Sequence, residues 1–369
     1  MIDARRRAPA TLRRNRVGSL APLPRTESAR STRRRSRNAA ELFVHAVGRN
    51  GDRKASGPRS FVFLHGLGGT QVYWTAAGGE AHLPPGSSLV DLLGFGRSPR
   101  PLIRYTLETH LAALEPVLAS RAPSVLVGHS LGAALALAYA ARHPGDVTAL
   151  VLISLPSYGG PKGAAHWRRR RLRGWFLTNM VLTAAVCVAT RRLLGPILPL
   201  LLRDVPREVA RDLVEHNFMS STTSLWNVLY RRDITLDLDA LPEDLPVVFI
   251  HGTDDTTAPI DAIRRLADGR PHRRLIELAG VDHHPWLRDP TGCAGLIGAA
   301  GRLAGAPSAD VESDGRIDSG PWDMQEEGSG VPEFGYVERG LLAARSTVDL
   351  PDEPVRRGGG DRDRRRKES

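Results

Sequence analysis

A serine stands between small residues in Gly128-His129-Ser130-Leu131-Gly132, directly after the apolar run Val125-Leu126-Val127 and before an Ala-rich helical pattern that begins at Leu131. A serine hydroxyl is a weak nucleophile at its free pKa. To attack a carbonyl carbon it needs a neighbouring base, and that base needs a carboxylate to orient it. A sharp strand-to-helix turn would expose the hydroxyl, and glycines two residues before and two after it would relieve the collision between strand and helix. The amino end of the following helix would then aim free amides and partial positive charge at negative charge developing on the substrate. Ala133, Ala134, Ala136 and Ala138 let that helix lie close to a sheet.

The carboxylate and the base each come with a neighbour of the same kind. Asp254 and Asp255 are adjacent after the apolar run Val247 to Ile250, and His283 and His284 are adjacent in Asp282-His283-His284-Pro285. Two successive side chains cannot both enter one site. The residues alone leave each pair open, the losing Asp being suited to cap a turn or helix and the losing His to line a pocket or pack on the helix at Trp286. A further turn of small residues, His65-Gly66-Leu67-Gly68-Gly69, follows the run Ser60 to Leu64, where a backbone amide can approach a substrate oxygen. It has no Gly-Lys-Ser/Thr ending and so does not read as a phosphate cradle. Asp91-Leu92-Leu93-Gly94-Phe95-Gly96-Arg97-Ser98 reads as a structural turn bounding the site.

These five motifs, in this order, resemble the α/β-hydrolase family over roughly residues 41 to 304. The resemblance implies the chain order Ser, acid, His. The family pattern Gly-x-x-Asp-x-x-x-Pro, started at Gly252, puts the acid at Asp255 and the proline at Pro259, with Asp254 the alternative. The pattern that places the base seven residues before a proline, counted back from Pro290, gives His283, with His284 the alternative; Asp282 stands where glycine is common. The Leu67 and Leu131 amides become the oxyanion donors. The resemblance implies hydrolysis of a carboxylic ester through an acyl-enzyme, a small-molecule substrate with an apolar acyl part, and no cofactor or metal. A Ser nucleophile argues against the haloalkane dehalogenase and epoxide hydrolase branches. C–C bond, thioester or amide hydrolysis and haloperoxidase-like chemistry share the same constellation, and a catalytically silent binding or scaffold member is the non-enzyme alternative.

Nearly continuous apolar runs at Ser60 to Leu64, Ser124 to Val127, Val147 to Ile153, Pro246 to Ile250 and Arg274 to Leu278 read as strands buried on both faces. Helical patterns at Leu131 to Arg142, Ile260 to Asp268 and Trp286 to Leu303 lie between or after them, which predicts a mostly parallel, doubly wound α/β sheet. The alternation breaks at 157–232, where helix-like segments run from Ala164 to Arg173, Trp175 to Arg192, Pro206 to Asn217 and Ser220 to Tyr230. This predicts a core made of 39–156 and 233–304, with a helical cap at 157–232 over the carboxyl ends of the strands, where open sheets bind ligands.

The 369 residues are 41% hydrophobic and 25% charged, an ordinary globular composition that excludes collagen-like, coiled-coil and wholly disordered chains. The net charge of +11 is unevenly placed. Residues 1–38 hold 12 basic and 2 acidic residues and read as a disordered Arg-rich arm, whereas 305–369 hold 10 and 15 and read as a solvated tail. The segment 157–232 holds 13 basic and 4 acidic residues, and without it the body 39–304 is slightly acidic. Charge concentrated in this way does not predict a nucleic-acid partner. Two cysteines, Cys187 and Cys293, make no disulfide framework, which predicts a cytoplasmic protein. Arg168 to Arg171 and Arg173 precede a 17-residue uncharged stretch, Gly174 to Thr190, short of the ~20 residues of a bilayer span. It reads either as a cap helix with its arginines on solvent or as a peripheral membrane contact in which Trp175, Phe176, Leu177 and Met180 touch lipid.

Overall fold

The computed structural model describes residues 41–48, 60–170, 180–189, 192–193, 202, 205–303 and 336–339 of the unit Glu41–Ser369. The arm 1–38, the side chains of Trp175, Phe176 and Leu177, and the rest of the tail lie outside the described residues. Eight strands, β1 (Val44–Ala46), β2 (Ser60–Leu64), β3 (Ser88–Val90), β4 (Ser124–His129), β5 (Val147–Ile153), β6 (Val247–Gly252), β7 (Arg273–Leu278) and β8 (Tyr336–Arg339), form one sheet in the order β1-β3-β2-β4-β5-β6-β7-β8. The six inner strands run parallel, while β1 and β8 pair antiparallel at the two edges.

Burial on both faces explains the unbroken apolar runs. Val125, Val127, Ala149, Val151 and Ile153 join Trp74, Trp286, Cys293 and Ile297 in one core cluster. The alternating residues Leu126, Leu150 and Leu152 point to the opposite face and are equally buried. The helices outside the long β5–β6 connection are α1 (Val72–Thr75), α2 (Leu107–Ala119), α3 (Leu131–Arg142), and the three that follow it in the chain, given below. Thr106 starts α2 by accepting a hydrogen bond from the Thr109 amide at 3.2 Å. On α3 every residue from Leu131 to Ala140 is buried, which the run of alanines permits by letting the helix sit against β4 and β5.

Between β5 and β6 the chain forms α4 (Gly160–Arg169), α5 (Met180–Ala189), α6 (Arg207–Asp212), α7 (Phe218–Ser224) and α8 (Thr235–Asp239), with a π-helical turn, Leu225–Tyr230, continuing α7. Polar ties join this segment to the sheet-bearing half. His110 Nε2 lies 2.8 Å from Ser224 Oγ, the Tyr105 amide donates to Thr223 Oγ1 at 2.8 Å, and Thr70 Oγ1 donates to Asp212. After β6 come α9 (Ile260–Ala267), α10 (Pro285–Arg288) and α11 (Pro290–Leu303).

The structure departs from the sequence reading at several places. The pattern Trp286 to Leu303 is two helices, because Pro290 removes a backbone donor and Asp289 before it leaves the helical region (φ −143°, ψ 81°). The first helix of the insertion starts at Gly160 and not at Ala164, with Pro161 in its first turn. Arg168, expected on solvent, is buried with its guanidinium over the rings of Trp226 and Tyr230, whereas Arg169 and Arg170 are exposed. Within 305–369, read as a solvated tail, Tyr336–Arg339 pairs with β7 and extends the sheet by one strand. No helix among the described residues is long and apolar enough to cross a membrane.

Candidate active site

Ser130 occupies the single-residue turn between β4 and α3 with φ 51° and ψ −111°, a conformation costly for any residue carrying a Cβ. Its surroundings hold it there. Its amide donates to the Ile153 carbonyl at 2.9 Å, and its carbonyl accepts the Ala134 amide at 3.1 Å as the first turn of α3 closes. A Cβ on Gly128 would lie 2.5 Å from the Gly132 carbonyl, and one on Gly132 would run into the Leu64 and His65 carbonyls. The two glycines flanking the serine are therefore what lets α3, β4 and the neighbouring β2 end approach this closely.

The other two groups come from the carboxyl ends of β6 and β7. Asp255 closes a turn three residues after β6, where its Oδ1 accepts the amides of Thr257 and Ala258, each at 2.8 Å. Its Oδ2 accepts from His283 Nδ1 at 2.7 Å, and His283 Nε2 lies 3.0 Å from Ser130 Oγ. A proton on Nδ1, needed to meet the carboxylate, leaves the Nε2 lone pair to accept the serine hydroxyl. Burial would raise the Asp255 carboxyl, but hydrogen bonds from His251 and His283 outweigh it and hold the group well below the usual carboxylate range.

Of each adjacent pair, one member joins this chain of hydrogen bonds and the other does not. Asp254 is exposed and accepts from Thr253 Oγ1 at 3.2 Å. The His284 ring turns toward Tyr73 and His129, with centroids 5.9 and 5.4 Å away. Burial, then the charge of His283, pushes the His284 pKa down to about 4. Asp282, in the place where glycine was expected, accepts the His284 amide at 3.0 Å and pairs with Arg288, so it shapes the histidine loop.

The turn His65 to Gly69 packs directly on Ser130. A Cβ on Gly66 would lie 2.7 Å from His129 Nδ1 and 3.3 Å from Ser130 Cβ, so the residue before Leu67 is packed against the serine. The Leu131 amide opens α3 and, as a first-turn donor, has no carbonyl four residues back within its own helix. His65 is buried, its Nε2 accepting the Leu92 amide at 3.0 Å and its Nδ1 lying 2.8 Å from the Gly66 carbonyl. Asp91 accepts the Gln71 amide at 2.6 Å and the Arg97 amide at 2.8 Å, fixing the loop that continues from this turn.

Sequence reasoning passed over two histidines here. His129 is buried, stacks on Tyr73 with centroids 4.4 Å apart, and donates from Nε2 to the His283 carbonyl at 2.8 Å. His251 sits four residues before Asp255; its Nε2 lies 2.9 Å from the Ala258 carbonyl and 3.3 Å from Asp255 Oδ2. Both are next to motif residues in the chain, at the ends of strands where side chains converge, and that proximity was the available signal. Among the described residues no group of three or more His, Cys, Asp or Glu side chains is placed to hold a metal ion.

A family model described as the Alpha/beta hydrolase family matches residues 61–296. The chain belongs to that family. In sequence, it is 29% identical over 277 residues to "Probable lysophospholipase BODYGUARD 1" of Arabidopsis thaliana, the match covering 66% of this chain and 58% of that protein. The chain thus spans little more than half the length of that relative. In structure, the α/β-hydrolase resembles a thermophilic esterase from Thermogutta terrifontis, with a TM-score of 0.54, 19% identity, and coverage of 72% of this chain and 94% of the other. It also resembles the enol-lactonase from Burkholderia xenovorans LB400, with a TM-score of 0.51, 19% identity, and coverage of 72% and 97%. At these identities the two structural likenesses speak for the fold.

Proposed function

We propose that this α/β-hydrolase is a serine hydrolase that cleaves a carboxylic ester, with Ser130, His283 and Asp255 as its catalytic triad. The observation that carries the reading is the unbroken hydrogen-bonded chain from Ser130 Oγ through His283 to Asp255. Ser130 attacks the acyl carbonyl while His283 Nε2 takes its proton. Asp255 keeps the imidazole in the Nδ1-protonated form and stabilises the imidazolium. The Leu67 and Leu131 amides receive the oxyanion, each such donor typically supplying about 3 to 4 kcal/mol. His283 then protonates the leaving alcohol and activates the water that releases the acid.

The ester is favoured over the thioester, amide and C–C bond by the Arabidopsis relative, whose name is that of an ester-cleaving enzyme. In this reading the substrate is a small molecule with an apolar acyl part, the helices of 157–232 form a cap over the strand ends, and the reaction takes place in the cytoplasm. Peripheral contact of the cap with lipid is favoured by Val181 and Leu193, exposed by 79% and 74%, in a segment where Arg169 and Arg170 are also exposed. Co-sedimentation with anionic vesicles, lost when Val181 and Leu193 are replaced by Ser, would support that contact; equal sedimentation of both proteins would remove it.

Fluorophosphonate labelling and a panel of p-nitrophenyl esters, run on wild type and Ser130→Ala, test the central reading. Labelling and turnover that depend on Ser130 are expected. A folded wild type that neither labels nor turns over any ester would instead be a catalytically silent binding member of the family.

A further inference from the structure

Arg168, in the last turn of α4, is 9% exposed. Its guanidinium carbon lies 4.8 Å from the ring centre of Trp226 and 4.6 Å from that of Tyr230, two rings that meet edge-on with centroids 5.8 Å apart. No carboxylate or carbonyl among the described residues pairs with it. A buried charge is ordinarily paired, because removing it from water without a counter-charge is costly.

The acids that could have served are engaged elsewhere. In the segment 157–232, Glu208 accepts the Ala77 amide, Asp212 accepts from Thr70, and Glu215 pairs with Arg100; Asp204 lies outside the described residues. Just beyond it, Asp233 accepts from Thr235 and Asp237 pairs with Arg232. The rings of Trp226 and Tyr230 flank the guanidinium but offer no oxygen to its N–H groups, which leaves the donor fork for an acceptor from elsewhere. That fork matches the two oxygens of a carboxylate or phosphate.

Packing and ring contacts connect this position to the elements that carry the proposed chemistry. The π-helical turn carrying Trp226 and Tyr230 packs on α3, the helix that starts at Ser130. Tyr230 also meets Tyr158 with ring centroids 5.5 Å apart, and the Tyr158 hydroxyl donates to the carbonyl of Thr257, the residue whose amide binds Asp255. Two aromatic side chains therefore connect Arg168 to the turn that holds the proposed catalytic acid.

We propose that Arg168 recognises an anionic group, a carboxylate or a phosphate monoester, carried by the substrate away from its scissile ester. This rests on the serine-hydrolase reading and narrows its substrate class. Two substrate pairs test it: p-nitrophenyl butyrate against p-nitrophenyl hydrogen glutarate, and 1-lauroylglycerol against 1-lauroylglycerol 3-phosphate. In wild type the anionic member of at least one pair should be favoured in kcat/KM by about 10- to 100-fold, as a charge-assisted pair provides. The preference should disappear in Arg168→Gln and survive in part in Arg168→Lys, which keeps the charge but loses the fork. Which pair responds separates carboxylate from phosphate. Equal ratios in wild type and Arg168→Gln would overturn the proposal and leave Arg168 as a packing residue.

A binding readout separates this proposal from the hydrolase reading. Glutarate or inorganic phosphate should raise the melting temperature of Ser130→Ala, and Arg168→Gln in that background should abolish the rise. Protection without turnover of any ester would retain the anion site and sink the hydrolase; turnover with neither preference nor protection would do the reverse.

Discussion

The sheet-borne site and the helical segment between β5 and β6 are built by different means. At the strand ends, position is set by the backbone. Ser130 is held by two main-chain hydrogen bonds and two glycine contacts, and Asp255 by two amides and two histidines. The helical segment is joined to that framework mainly through side chains, His110 with Ser224 and Thr70 with Asp212 among them, with a main-chain bridge between Phe95 and His216, and its charge is mostly basic. A reacting atom misplaced by an ångström loses rate, whereas a wall around a substrate can shift and still serve. The difference teaches where substitutions should be felt as chemistry and where as stability or selectivity.

The largest expected effect comes from breaking the proposed triad while sparing its neighbours. Asp255→Asn and His283→Asn should each lower kcat/KM for p-nitrophenyl butyrate by about 10⁴-fold, the size seen when the orienting acid of such a triad is neutralised. Asp254→Asn and His284→Asn should stay much closer to wild type. Steady-state kinetics with circular dichroism as a folding control decides this. Activity retained by Asp255→Asn and His283→Asn would dismantle the assignment.

How much of this was legible in the chain follows from the same contrast. The inner strands announced themselves because burial on both faces makes them apolar throughout, and the elbow glycines because backbone crowding tolerates nothing else at Gly128 and Gly132. The strands β1 and β3 have three residues each, too short to show a period, and β8 lies in a polar stretch and draws its pairing from β7. Choosing Asp255 over Asp254 needed the family spacing, since adjacent side chains diverge only once the turn after β6 exists. The burial of Arg168 could not be read from the sequence. It depends on Trp226 and Tyr230, nearly sixty residues on, and on a π-helical turn that presents both rings on one side.

Acid should expose the joint between the two regions. His110 is buried beneath α7, and burial, then the charge of His65, pushes its pKa down to about 3. Between that value and the ordinary histidine value of about 6.5 the unfolded chain binds a proton that the folded chain refuses. The contribution is therefore intact above pH 6.5 and is lost as pH falls toward 3, amounting to about 3 to 5 kcal/mol over the whole window. Urea unfolding from pH 7 to 4 should show a steeper loss in wild type than in His110→Gln, which titrates in neither state. Parallel curves would mean that the ring is protonated in the fold.

Gly66→Ala asks how tightly the turn beside Ser130 is set. The added methyl would meet the His129 ring at 2.7 Å, and His129 cannot swing away without releasing the His283 carbonyl. We expect kcat to fall by about 100-fold, the scale of a small misplacement of reacting groups. Gly145, with open space around it, supplies the control, and Gly145→Ala should leave kcat unchanged. Equal rates in the two variants would show that the turn can yield.

The smallest effect belongs to one tie of the helical segment. Thr70 follows the His65 to Gly69 turn, and its hydroxyl donates to Asp212 in α6 while accepting the Val72 amide at 3.1 Å. Asp212 is partly desolvated, which raises its pKa against the opposing hydrogen bond from Thr70. Such a pair should be worth about 1 kcal/mol net, because the carboxylate gives up water to make it. A double-mutant cycle with Thr70→Val and Asp212→Asn, read by urea unfolding, isolates that coupling from the other consequences of each substitution. A coupling near 1 kcal/mol, with KM rising more than kcat falls, would mark the segment as a wall that positions substrate without setting the reacting atoms. A kcat loss in Asp212→Asn as large as that in Gly66→Ala would erase the contrast between the two regions.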